Sequence, residues 1–288
     1  MSLPPETAPP PIEAARINAL KKLAANHFGK ITPAEEKVIE LSASTINNDA
    51  KDRGERPEVR AAFLRWLITD AESAAHIDPA GVRVDSSTIT SILNLDFCKI
   101  PFRIRLGYCT LNGDLSLIAA EIPGLQLLSC STSQDIVLDF LRTESSVYLN
   151  FLQSQGNVRL AHAQIAGDLC LFGASLTATD KALQVDAARI AGNVFLTPGS
   201  PAIGAPYRQF SSSGNINFVG AEIGGSFECL EAAIGAMKCD MMRVKGSLMW
   251  IRILQSCVTD LSLAGASVGT LRDDRDSWPA KGHLHILG

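Results

Sequence analysis

Charge of either sign, aromatic rings and long apolar runs are all scarce in this chain of 288 residues. Charged residues make up 19% and aromatics 6%, and the net charge is only −4. A nucleic-acid partner held by its phosphates needs a basic face, and a protein that imitates nucleic acid needs an acidic one. Lys/Arg and Asp/Glu are instead interleaved along the chain, so neither role is expected. No stretch is apolar enough over the ~20 residues that span a bilayer. The opening Met1 to Glu6 lacks the basic and apolar regions of a secretory signal. The seven cysteines are odd in number and never spaced CxxC. That fits reduced thiols in a cytosolic protein better than a disulfide framework. GxGxxG and GxxxxGK[ST] are absent too, so no nucleotide loop is expected, nor is a nucleophile elbow or a cofactor.

What the sequence does have is a repeat. Gly113-Asp114-Leu115-Ser116-Leu117 returns as Gly156-Asn157-Val158-Arg159-Leu160 and as Gly167-Asp168-Leu169-Cys170-Leu171. It returns again as Gly214-Asn215-Ile216-Asn217-Phe218. Apolar residues come in pairs two apart: Leu115 and Leu117, then Ala120 and Ile122, then Leu125 and Leu127. Residues two apart share one side of a strand, so each gap between pairs must be a corner. Units of about ten or eleven residues then supply two short sides each, and two units close a coil of roughly twenty. Glycine at the Gly-Asp/Asn corner is expected to take positive φ, with the Asp or Asn side chain bonding nearby amides.

The expected fold is mainly β, a right-handed parallel β-helix with an N-terminal α-helical cap. Residues 1–11 read as a disordered, proline-rich lead-in, 12–80 as a helical cap, 81–271 as the β-helix and 272–288 as a C-terminal tail or end cap. Within the cap, a first helix from Ile12 ends at Gly29, and Thr32-Pro33-Ala34-Glu35 is a capping box opening a second. Val59, Phe63, Trp66 and Leu67 mark one face of a third.

The spacing resembles the pentapeptide-repeat proteins, in units often one residue longer. With Val59 to Leu67 before the repeats and Ser277-Trp278-Pro279 after them, residues 57–288 more closely resemble an uncharacterised bacterial solenoid family. Some members of that family are labelled "membrane-associated oxidoreductase". No residue here supports oxidoreductase chemistry. Members continue into further helices, so the resemblance implies membrane association only for a longer form.

The repeat is broken at Thr177–Lys181 and at Thr197–Ser213. These starts lie about one coil apart, so both insertions are expected to stack on one edge as a binding surface. Tyr207, Arg208 and Phe210 are the candidate partner-binding residues, since aromatics and arginine dominate hot spots. Cys98, Cys109, Cys130, Cys229 and Cys239 fall on inward positions as small apolar fillers, Cys170 faces outward, and His162 points outward alone. His283 and His285 near Asp273, Asp274 and Asp276 could imitate a metal site, but no metal is expected.

The function this predicts is a non-enzymatic interaction or scaffold module with a protein partner. A carbohydrate-active or other small-molecule enzyme is the alternative, to be told by carboxylates clustered on one face. A DNA mimic is the second, to be told by a continuous acidic surface. An open last coil would predict an end-to-end homodimer.

Overall fold

A computed structural model describes residues 11–45, 54–201, 206–254, 260–279 and 283–285. The lead-in expected at 1–11 thus falls almost wholly outside the described residues. From Val82 onward the chain winds into a parallel β-solenoid of about eight turns. Leu93 pairs with Leu115, Leu115 with Ile136 and Ile136 with Val158, so a coil is about 22 residues.

Each coil has four short sides. The first begins with Val82–Asp85 and stacks Ile104–Gly107, Leu125–Leu128 and their successors. The second begins with Thr88–Thr90, the third with Leu93–Asn94, and the fourth stacks Glu121–Ile122 on Arg142–Thr143. The predicted inward pairs are all buried: Leu115, Leu117, Ala120, Ile122, Leu125 and Leu127, then Val158, Leu160, Ala163, Ile165, Leu169 and Leu171. They form one core that runs the length of the stack.

The four corners are of two kinds. Between the first and second sides, and between the third and fourth, most coils have one residue in left-handed backbone. Tyr108, Ser129 and Phe151 do so at one corner, and Phe97, Ala119, Phe140 and His162 at the other. The other two corners carry the repeat's glycines; the first coil has positive φ there, at Gly81 and Ser91, but for Gly113, Gly156, Gly167, Gly192 and Gly214 the expectation of positive φ is corrected. Gly113 keeps negative-φ or extended backbone, but a Cβ on it would lie 2.2 Å from the Ser91 carbonyl carbon of the coil before. Its job is close approach between coils. The backbone at these corners is bulged strand. Ser211–Asn217 runs unbroken from the second side to the third, and Arg243–Ile251 from the fourth to the first, each with one register shift.

Asp and Asn after those glycines do bond backbone amides, but on the next coil. The Asp135 amide donates to Asp114 Oδ1 at 3.0 Å, the Asn193 amide to Asp168 Oδ1 at 2.7 Å and the Ser226 amide to Asn193 Oδ1 at 2.8 Å. Each link satisfies an N–H that the short ladders leave over.

The N-terminal helices are α1 (Pro11–Phe28) and α2 (Pro33–Ala43). Gly29 ends α1 with φ +68°, and the Thr32/Glu35 capping box is present. Next comes β1 (Glu58–Arg60), then α3 (Ala61–Thr69) and α4 (Ala71–Ala74). Val59 was expected on the third helix; it lies in β1, which pairs with Thr88–Thr90 and so adds a first rung to the second side. The cap is therefore stitched into the solenoid by backbone bonds. Glu35, fully buried, receives the Arg60 guanidinium at 2.6 and 2.8 Å. Phe28, Phe63 and Trp66 close the helical layer with ring centroids 5.5 to 5.9 Å apart.

At the other end, Trp250 Nε1 donates to the Ser277 carbonyl at 2.8 Å, and Trp278 packs half-buried against the core. The segment after Asp273 thus folds back over the last described coils. No described helix is long and apolar enough to cross a membrane.

Candidate functional site

With the interior filled by aliphatic side chains, what the solenoid can offer lies on its outer sides. On the second side the outward residues are small and polar. Thr110, Ser131, Gln153 and Ser175 form one row, and Asn112, Ser133, Gln155 and Thr177 form the next. Thr110 and Ser131 hydroxyls lie 3.2 Å apart, and the Ser211 hydroxyl donates to Ser175 at 3.1 Å. Together they line a trough of about 590 Å³, with Arg208 and Gln209 at its head.

Arg208 comes from the longer insertion, whose described residues 197–201 and 206–210 pair as the two arms of a hairpin. Gly199 and Arg208 exchange both backbone hydrogen bonds, at 2.9 and 2.8 Å. The hairpin is seated on rings that face outward: a Cβ on Gly199 would come within 3.0 Å of Phe151 and Phe172. Phe172 stacks in turn on Phe195, centroids 5.1 Å apart. Tyr207 is 72% exposed, and Arg208 is exposed beside it.

Phe210 is a correction. It is fully buried, on the inward row that Cys109, Cys130, Leu152 and Ala174 occupy in other coils. It anchors the hairpin from inside and presents nothing to a partner. The two insertions also fail to share an edge. Residues 177–180 lie between the second and third sides, whereas 197–210 lie between the first and second. The first insertion lengthens its own coil, as Val158 pairing with Leu183 records, so the second begins one side short of a full turn.

The third corner and the fourth side form the other distinctive surface, which has a rhythm of two coils. Alternate coils read Asp96-Phe97-Cys98-Lys99, Asp139-Phe140-Leu141-Arg142, Asp186-Ala187-Ala188-Arg189 and Asp240-Met241-Met242-Arg243. The coils between them read Ile118-Ala119-Ala120-Glu121, Ala161-His162-Ala163-Gln164, Val219-Gly220-Ala221-Glu222 and Ala264-Gly265-Ala266-Ser267. Each aspartate accepts a backbone N–H from the following coil. Ile118 donates to Asp96 at 2.8 Å, Ala161 to Asp139 at 2.9 Å and Ala264 to Asp240 at 3.2 Å. The Val219 amide does the same for Asp186, whose carboxyl burial nonetheless pushes up from its ordinary value.

The fourth side is consequently a ladder of alternating charge. Glu121 lies 3.4 Å from Lys99 and 3.5 Å from Arg142; Glu222 lies 3.4 Å from Arg189 and 4.0 Å from Arg243. A groove of about 800 Å³ runs along this ladder, floored by Ala166, Ala191 and Gly224. On the corner beside it Phe97 is 79% exposed, Met241 63% and Phe140 51%. His162 does point outward, but it is not alone: its ring stacks on Phe140 at 4.9 Å.

Catalytic chemistry finds little to work with among the described residues. The exposed ladder acids Glu121 and Glu222 stand four rungs, roughly 19 Å, apart and are engaged with cations. Glycoside hydrolysis sets its carboxyl pair at about 5 to 10 Å. Cys170, expected on the outside, is buried, and that burial together with the Asp168 charge pushes its thiol up to about 12. Burial likewise raises Cys229 and Cys239. Cys109 and Cys130 are buried and Cys98 half-buried. Thiols raised by burial, as Cys170, Cys229 and Cys239 are, make poor nucleophiles. No three described His, Cys, Asp or Glu side chains gather as metal ligands. His283 and His285 lie on a strand paired with Asp260–Ser262, and their side chains fall outside what is described.

No protein-family model, curated protein or solved structure matches the chain. The fold and its surfaces define the class: a four-sided parallel β-solenoid with a helical cap stitched to its first coil.

Proposed function

We propose that the protein is a non-enzymatic interaction module, a rigid stack that holds outward side chains in fixed positions for a protein partner. The observation that carries this reading is the pair of hairpin arms at 197–201 and 206–210. It is closed by its own backbone pair and anchored inside by Phe210, and it sits outside on Phe151 and Phe172. Yet it leaves Tyr207 and Arg208 exposed at the head of a polar trough. Tyr207 and Arg208, held between the Gly199–Arg208 backbone pair and the buried Phe210 yet exposed to water, have already met much of the ordering cost of binding. The interleaved charges of the fourth side favour a protein over a nucleic acid. The free thiols of the six described cysteines support a reducing, cytoplasmic setting.

The test is comparative capture with immobilised wild type and a Tyr207→Ala/Arg208→Ala double variant, read by quantitative mass spectrometry. The expected result is a protein retained by the wild type and reduced at least about tenfold on the variant, with both baits melting at the same temperature. Equal retention would overturn the reading. So would a saturable rise in melting temperature with an oligosaccharide or nucleotide, shared by both baits.

A further inference from the structure

The two-coil rhythm has a symmetry that the hairpin does not explain. Taking the fourth-side residues in order, the eight rungs carry Lys99, Glu121, Arg142, Gln164, Arg189, Glu222, Arg243 and Ser267. Suppose a second copy is laid face to face and antiparallel, with its two-fold axis between the Gln164 and Arg189 rungs. Glu121 then meets the partner copy's counterpart of Arg243, Arg142 meets that of Glu222, and Gln164 meets that of Arg189. No like charges oppose. Shifting the register by one rung, or running the copies parallel in register, sets arginine against arginine.

The corner beside the ladder obeys the same axis. A two-fold lying in the interface keeps each corner on its own flank, so corner meets corner. Its residues, in rung order, are Phe97, Ala119, Phe140, His162, Ala187, Gly220, Met241 and Gly265. Antiparallel pairing about that axis sets Phe97 against Gly265, Ala119 against Met241, Phe140 against Gly220 and His162 against Ala187. A large side chain faces a small one at every rung. Charge and shape, carried by different residues, select one register.

We infer that the protein forms a side-by-side antiparallel homodimer through its fourth side and third corner. A closed two-fold pair must use a self-complementary patch, and this surface is one. The strip is eight rungs of about 4.8 Å by about five extended residues of roughly 3.3 Å each. That buries about 1,300 Å² over both copies, at the lower end of stable interfaces. It covers Phe97, Phe140 and Met241, three of the largest exposed apolar side chains. The arginines have somewhere to lie, because the groove floored by Ala166, Ala191 and Gly224 takes stems from both copies.

Sedimentation equilibrium of the full chain, with charge swaps, tests this. Arg142→Glu and Glu222→Arg are each expected to weaken dimerisation at least about 100-fold, since each sets like charges opposite twice per dimer. The double swap R142E/E222R is expected to return affinity to within about tenfold of wild type. Inside one chain the double swap leaves like charges on neighbouring rungs, so recovery can come only from contact across the interface. Ala119→Trp, which changes no charge, is expected to break the dimer by setting two large side chains opposite each other. Circular dichroism confirms that each variant is folded. A wild type that stays monomeric at about 1 mM overturns the proposal. A dimer indifferent to both single swaps does so too, and so does a double swap that fails to recover.

Discussion

Exchanging glycine for alanine at the two kinds of corner should have unlike effects. In Gly113→Ala the new Cβ would lie 2.2 to 2.4 Å from Ser91 and Ile92 backbone atoms. Neither atom can turn away, so the coils must part by about 1 Å to restore ordinary contact. Parting them strains the bond from the Leu93 amide to the Asp114 carbonyl, 2.9 Å long, and its neighbour from Leu95 to Ser116 at 2.7 Å. Two buried backbone bonds left short of partners cost roughly 3–5 kcal/mol. Gly220 sits at a left-handed corner with φ +66°, and a Cβ there meets nothing within 4 Å. Gly220→Ala brings about 1–2 kcal/mol of left-handed strain, offset by about 0.4–1 kcal/mol from a less mobile unfolded chain. The net cost lies between about zero and about 1.6 kcal/mol. Urea denaturation followed by circular dichroism gives both values. Hydrogen exchange on a peptide spanning Leu93 should report local opening in the first variant alone. Equal losses, or a larger loss at Gly220, would refute the distinction between corners.

Other consequences follow from single side chains. Glu35 is a buried carboxylate; burial acts to raise its pKa, but the Arg60 guanidinium and the Thr32 amide outweigh it and hold it below its ordinary value. Its stabilisation is therefore full above about pH 4.5 and is lost as pH falls through the depressed value. Glu35→Gln should cost about 1–3 kcal/mol at pH 7 and flatten the acid limb of a urea-midpoint profile; an unchanged limb would contradict this. Among the six described cysteines, iodoacetamide at pH 8 should modify half-buried Cys98 first and Cys170 hardly at all, as peptide mass mapping will show. Early labelling of Cys170 would mean that its cover opens. Trp250→Ala should cost about 3–5 kcal/mol and speed exchange at Ile253, whose amide donates to Ser277; undisturbed exchange there would show that the end cap stands without it.

Much of this architecture was legible because strand geometry is written in period two. Leu115, Leu117, Ala120, Ile122, Leu125 and Leu127 needed only alternation to be placed inside. The helical cap was legible from Gly29 and the Thr32/Glu35 box. Corner backbone was not, because glycine serves both for left-handed φ and for close approach, and only the neighbouring coil decides between them. Phe210 was misplaced because the insertion hid its register. Phe210-Ser211-Ser212 aligns with Cys109-Thr110-Leu111 and Cys130-Ser131-Thr132, and that alignment was the available signal. Cys170 alternates outward as expected, yet burial on the outside of a solenoid depends on what later coils lay over it. The two-coil rhythm was present all along in Asp96/Lys99, Asp139/Arg142, Asp186/Arg189 and Asp240/Arg243. Insertions stretch its intervals, so no fixed period reveals it.

If the outer faces are the working part of this protein, its own self-association is the most direct place to see them work. Small-angle scattering across a concentration series measures particle mass and longest dimension together. The account predicts a mass that doubles while the longest dimension grows little, as two solenoids lie side by side. A mass that doubles along with the length would mean end-to-end stacking, and a monomer at every concentration would mean the paired face is not used; either contradicts it.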